Sequence, residues 1–252
     1  MATAQHRSED DQDLAAMRRT VAVACRVLAY RGLAEDVLGH VSLRVGADRM
    51  LVRCRGPYES GLLFTTGDDV RLVDLDGSGE LGGGYGVPNE LPIHAEVLRA
   101  RPDVHAVVHA HPPSVLVAGL AELPMRPVFG AYNIPALRMA VAGVPVYPRA
   151  LLIRRADLGR EMVAAMGESD VCVLRGHGVT TAGASVEQAV VRALNLDVLA
   201  RVTVEMARLD RAPADLPADD ISGLPDLGGE LNDLAVWRYN VARLNAAGLG
   251  LP

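Results

Sequence analysis

The chain has 252 residues, half of them hydrophobic, with only two Phe and one Trp, so a sizeable and mostly aliphatic core is available. A formal charge of −6 argues against nucleic acid as a partner, since nucleic-acid binders usually carry a basic face. No uncharged apolar run is long enough to span a bilayer, and the polar, acidic start MATAQHRSEDDQD lacks the apolar segment of a signal peptide. The expectation is therefore a cytoplasmic protein with no membrane partner.

In chain order, residues 1–10 are expected to be disordered. From Asp11 to Gly32 apolar residues recur at helical spacing, acids open the segment and glycine closes it, which predicts a helix. His40–Val45 and Met50–Arg55 read as strands joined by the turn Gly46-Ala47-Asp48, and Val70–Leu75 as a third strand. Gly77-Ser78-Gly79-Glu80-Leu81-Gly82 matches a dinucleotide-binding pattern. It continues into Gly83-Gly84-Tyr85-Gly86-Val87-Pro88, which cannot open the required helix, so it reads as a flexible loop. Leu91–Ala100 is expected to be a helix and Val104–His111 a strand. Helices follow around Pro113–Leu123, Ala156–Met166 and Ser185–Leu209. Residues 210–225, which begin DRAPADLPAD, read as a surface linker to a helical segment, Glu230–Ala247. This order predicts one α/β domain over residues 1–252, α/β/α layered, with a largely antiparallel central sheet. Cys25, Cys54 and Cys172 are too widely spaced for a disulfide framework, and two of them lie in apolar runs as small buried residues.

The chemistry concentrates in three short segments. Asn89-Glu90-Leu91-Pro92-Ile93-His94 brings an acid and an imidazole. In Val107-Val108-His109-Ala110-His111, strand alternation puts His109 and His111 on one face, roughly 7 Å apart. Two such imidazoles can hold a metal ion if a third ligand arrives and a position stays open for substrate. A candidate stands between two glycines in Leu174-Arg175-Gly176-His177-Gly178. His105 shares the strand face but lies roughly 13 Å from His109, too far to join them. His6 needs no role, and Arg149, Arg154, Arg155, Arg192 and Arg201 read as surface charges.

These three segments, in this order, resemble the class II aldolase/adducin family, and the resemblance runs from the first helix to about Leu209. It implies one divalent ion held by His109, His111 and His177, with zinc the first expectation and Mn2+, Co2+ or Fe2+ alternatives. It also implies Glu90 as the catalytic acid/base. Similar members form cyclic homotetramers with sites at subunit boundaries, where a tyrosine placed like Tyr132 reaches a neighbour's site and can donate a proton; from the residues alone Tyr132 reads equally well as a ring packed near a proline turn at Pro135.

Two departures bear on the substrate. Leu38-Gly39-His40-Val41-Ser42-Leu43-Arg44 stands where the sugar-phosphate aldolases carry a Gly-Asn-x-Ser phosphate loop, and Pro88-Asn89-Glu90 replaces Ser-Ser-Glu. The turn Thr65-Thr66-Gly67 survives as an anion loop but is followed by Asp68 and Asp69. Acids and lost hydroxyls suit a dianion poorly. Members with a Gly-His-x-Ser loop include decarboxylases of hydroxylated aromatic acids. The expected function is a metal-dependent lyase that decarboxylates a dihydroxylated aromatic acid or a similar hydroxy acid. His40 would be catalytic, and Arg44, Ser42, Thr66 and His94 would bind the small carboxylate, with an orienting or a packing role the alternatives for His94. Aldol cleavage of a hydroxy-keto acid or sugar phosphate is the alternative, because both reactions leave an electron pair on carbon. A family epimerase would carry aspartate at Glu90, and a non-catalytic adducin-like scaffold would have lost the metal histidines.

Overall fold

Val21, Ala22, Ala24, Cys25, Val27 and Leu28 are all fully buried, and this stripe seats the first helix, α1 (Ala2–Tyr30), in the core. The computed structural model describes residues 2–79, 81–209, 214, 216–227 and 229–251, with side chains from Gln12 onward except that of Glu230. The helix opens at Ala2, inside the stretch 1–10 expected to lack order. It ends where expected, because Gly32 takes a positive φ of 73° that closes a helix without a Cβ clash. His6 and Glu80 have side chains outside the described residues.

Seven strands form one mixed, mostly antiparallel sheet: β1 (His40–Val45), β2 (Arg49–Arg53), β3 (Val70–Asp74), β4 (Ala106–Ala110), β5 (Val146–Tyr147), β6 (Val171–Leu174) and β7 (Gly178–Gly183). Their order is β3-β2-β1-β4-β7-β6-β5, and only the β5–β6 pair is parallel. The helices between and after them are α2 (Leu91–Ala100), α3 (Pro113–Leu120), α4 (Ile134–Ala142), α5 (Ala156–Met166), α6 (Val186–Arg208), α7 (Ala218–Gly223) and α8 (Glu230–Ala246).

Strand alternation divides the core in two. Ala106, Val108 and Ala110 of β4 pack in one cluster with α1, α3 and α6, while Val107 packs in another with α2 and α5. His109 falls on the Val107 side. In register it faces His40 of β1 and Thr180 of β7, so the end of β4 meets the starts of both neighbouring strands.

Several expectations change. Gly130-Ala131-Tyr132-Asn133-Ile134-Pro135 is more than a proline turn: Asn133 caps α4, its side chain accepting from the Ala136 N–H at 3.0 Å. In the 210–225 segment, residues 210–213 and 215 lie outside the described residues. The remainder includes the short helix α7. Arg192 is no surface charge: it donates to the Ala182 carbonyl at 2.7 Å and pairs with Asp170 at 2.8 Å. All three cysteines are free and buried, Cys25 and Cys172 as expected, and burial pushes the Cys25 and Cys172 thiols up to about 12. Among the described residues no helix is long and apolar enough to cross a membrane.

Candidate metal centre

The sequence brings its histidines together through backbone that only glycine can supply. A Cβ on Gly178 would lie 2.3 Å from the Ala110 carbonyl oxygen, so glycine lets β7 start tight against the end of β4. His177 is thereby delivered beside His111. On the other flank Gly39 takes a positive φ of 83° directly before His40, with the His109 carbonyl oxygen 3.1 Å from where a Cβ would stand. The end of β4 is pinned by the His111 N–H, which donates to the Leu33 carbonyl at 2.8 Å.

Three imidazoles converge there. The ring centroids of His109, His111 and His177 are 4.7, 4.8 and 4.9 Å apart in pairs, a nearly equilateral group. His109 Nε2 and His111 Nε2 face each other at 2.8 Å. The other His109 nitrogen, Nδ1, lies 3.0 Å from the Val179 carbonyl, the kind of bond that keeps the proton on Nδ1 and frees Nε2. Both ring nitrogens of His177 are buried without a hydrogen-bond partner among the described residues. Buried nitrogens left unpaired are costly unless something else takes their lone pairs.

Glu90 completes the group from the N-cap position of α2. Its Oε1 accepts from the Ile153 N–H at 2.9 Å, and its Oε2 lies 3.2 Å from His177 Nε2 and 3.5 Å from His109 Nε2. One ligand atom from each of Glu90, His109, His111 and His177 lies within 4.8 Å of the others. The charge states suit a cation. Burial and neighbouring histidines hold the His111 imidazole down at about 3, and burial lowers that of His109. Burial alone would raise the Glu90 carboxyl, but the His109 and His177 imidazoles beside it hold it well below the usual carboxylate range. Imidazole nitrogens and one carboxylate are a donor set that fits a divalent metal.

Behind His109 runs a second buried chain. Ser42 Oγ and His94 Nδ1 are 2.7 Å apart, and His94 Nε2 and His40 Nδ1 are 2.6 Å apart. The His40 ring lies 5.0 Å from that of His109. Burial holds His94 down at about 3 and His40 well below its ordinary value. His94 is fully buried, so it meets His40 and Ser42 rather than solvent or a ligand.

Two expected substrate contacts lie elsewhere. Arg44 donates to the carbonyls of Val104, Leu98, Arg101 and Ala47, so its guanidinium caps the C-terminal end of α2 instead of turning inward. Thr66 is exposed, and its N–H and hydroxyl both donate to Asp69 Oδ2, at 2.7 and 2.9 Å. Tyr132 is 74% exposed and meets Phe129 edge-on at 5.5 Å. His105 is exposed, in keeping with its exclusion. Two contributors escaped the sequence, the Ile153 N–H and the Val179 carbonyl, because a backbone group leaves no mark in residue type. Thr180, the register partner of His109, was likewise not singled out.

A family model described as the class II aldolase and adducin N-terminal domain matches residues 19–204. The chain is 55% identical over 237 residues to the 3,4-dihydroxyphthalate decarboxylase of Arthrobacter keyseri, covering 92% of this chain and 96% of that one. It is 31% identical over 214 residues to the 5-methylthioribulose-1-phosphate/5-deoxyribulose-1-phosphate aldolase of Rhodospirillum rubrum, covering 82% and 88% of the two chains. An aldolase II superfamily protein from Pseudomonas syringae has the same fold, with a TM-score of 0.79 over 92% and 93% of the chains at 20% identity.

Proposed function

The chain belongs to the class II aldolase and adducin family, and from that membership we propose that it is a divalent-metal-dependent decarboxylase of a dihydroxylated aromatic acid. The observation that carries this reading is 55% identity, over nearly the whole of both chains, to a 3,4-dihydroxyphthalate decarboxylase. The site supports it in two ways. All three metal histidines are in place, as a non-catalytic scaffold would not need. The loop that could hold a phosphate is filled by the chain's own Asp69, which takes both the N–H and the O–H of Thr66.

His109, His111 and His177 would hold a divalent cation, which when bound would supply a Lewis acid for the electron pair left on carbon as the C–C bond breaks. Glu90 moves the proton: one oxygen is fixed by the Ile153 N–H while the other faces the imidazole group. His40 is neutral at physiological pH and makes a hydrogen bond to the substrate rather than carrying charge. The retro-aldol reaction has the same electronic demand, so assay decides between them. The expected result is CO2 release from 3,4-dihydroxyphthalate or a simpler dihydroxybenzoic acid, with no aldehyde from hydroxy-keto acids or sugar phosphates. Efficient sugar-phosphate cleavage with aromatic acids inert would overturn the proposal.

The same reading takes zinc as the resident ion, an α/β/α layering around the two cores, and the cytoplasm as location. It also takes a homotetramer in which the exposed Tyr132 reaches a neighbour's site. Light scattering on the native protein is expected to give four times the chain mass. A fully active monomer would rule out a shared site.

A further inference from the structure

Burying two imidazoles and a hydroxyl behind a metal ligand is costly unless every polar atom is used. Ser42, His94 and His40 nearly meet that condition. Ser42 is fully buried on β1, and among the described residues its only side-chain hydrogen bond is with His94 Nδ1 at 2.7 Å. His94, one turn beyond Glu90 on α2, uses both ring nitrogens, the second on His40 Nδ1 at 2.6 Å. That leaves one free atom in the chain: His40 Nε2 has no hydrogen-bond partner among the described residues. The His40 ring is 7% exposed and lies against His109.

The direction of the protons follows from the buried end. If Ser42 accepted from His94, its own hydroxyl proton would be buried with no acceptor, at a cost of about 1–3 kcal/mol. If Ser42 donates instead, His94 Nδ1 is an acceptor, His94 Nε2 carries the proton and donates to His40 Nδ1. The His40 proton must then sit on Nε2. The Val107 carbonyl also lies beside the His94 ring. It belongs to the sheet ladder, so it is not stranded when His94 Nδ1 carries no proton, whereas the Ser42 hydroxyl would be.

We infer that Ser42 and His94 are positioning residues: they lock His40 as a neutral N–H donor at Nε2, aimed at an anionic oxygen of the ligand. His40 then selects for a carboxylate, because a fixed N–H rewards an oxygen that can only accept. This deepens the proposed reaction and rests on its placement of substrate beside the three metal histidines. It assigns His40 a hydrogen bond and leaves proton transfer to Glu90.

The test uses the zinc-loaded full-length protein labelled with 15N-histidine, and two probes, 3,4-dihydroxybenzoate and catechol, which differ by one carboxylate. NMR should find the His40 proton on Nε2 and the His94 proton on Nε2. Calorimetry should show the acid bound more tightly than catechol, a preference lost in His40→Ala. Ser42→Ala and His94→Phe should each weaken the acid about tenfold, in the range seen when an orienting partner is removed, with zinc content and catechol affinity unchanged. His94→Gln, which can accept from Ser42 and donate to His40, should restore part of the preference. In the His40→Ala background His94→Phe should have no further effect. A proton on His40 Nδ1, or an undiminished acid preference in both Ser42→Ala and His94→Phe, would overturn the inference, as would additive losses in the double variant. If the native protein releases no CO2 from dihydroxylated acids, the reaction proposal fails, while the tautomer measurement still decides this one.

Discussion

Replacing His177 with alanine is expected to abolish metal binding and activity together, while changing the stability of the metal-free protein little. The two halves have separate causes. In the metal-free chain His177 Nδ1 is buried with no hydrogen-bond partner among the described residues, which costs about 1–3 kcal/mol, and removing it offsets the loss of the 3.2 Å contact between Nε2 and Glu90 Oε2. With metal present, the same ring is one of three imidazole donors. Losing an orienting partner of a ligand already costs about 10–100-fold in affinity, so losing a ligand should cost more. Calorimetric melting reads both effects. A ligand at a hundred times its Kd adds about 2.7 kcal/mol, which in a chain of this size raises Tm by roughly 5–10 °C. Zinc should give the native protein a shift of that order and His177→Ala none. His109→Ala and His111→Ala should likewise lose metal. His109→Ala should also cost stability without metal, because it strips the Val179 carbonyl of its partner. Full metal stoichiometry in His177→Ala would remove that residue from the site.

What could be read from the sequence depended on whether a side chain's task is local. His109 and His111 declare themselves because a strand puts alternate residues on one face, and His177 because glycines flank it. Glu90 is legible from its motif, but its anchor is the N–H of Ile153, sixty-three positions away, and no residue type announces that. Arg44 looked like a carboxylate partner on charge alone. Its donors go instead to carbonyls at the end of α2, which only the packing of α2 beside β1 and β4 brings within reach. Thr66 was a different failure. Thr66-Gly67-Asp68-Asp69 already carries the spacing of a capping box, and the closed loop with Asp69 was there to be found. The sheet shows the same division. β1 to β4 follow from alternation and turns, whereas β5 is two residues long, too short for any periodicity, and exists because β6 lies beside it. The helix α4 was hidden by reading Pro135 as a turn, when proline near the start of a helix behind an asparagine cap is a start signal.

Glu90→Gln is expected to keep the metal and lower turnover by roughly 10² or more, about 2.7 kcal/mol in the barrier. The geometry makes glutamine a nearly silent change in structure. Its amide oxygen can take the place of Oε1 and still accept from the Ile153 N–H, and the capping position on α2 uses no Glu90 side-chain bond. Metal should remain because three imidazoles are already enough for a site that keeps an open position. What glutamine cannot do is exchange a proton at Oε2, the oxygen 3.2 Å from His177 Nε2. The native carboxyl is held well below its ordinary range, so it is ionised at neutral pH. Glu90→Asp supplies the complementary test: it retains the acid but withdraws it by one methylene from both the Ile153 N–H and the imidazoles. Its turnover should fall between those of the native and Gln proteins. Metal content by elemental analysis, read beside single-turnover CO2 release, separates the alternatives. If Glu90→Gln loses its metal as His177→Ala does, Glu90 is a fourth ligand and the proton must be moved by another group. If it keeps both metal and turnover, Glu90 serves only to hold the segment around Ile153 over the site.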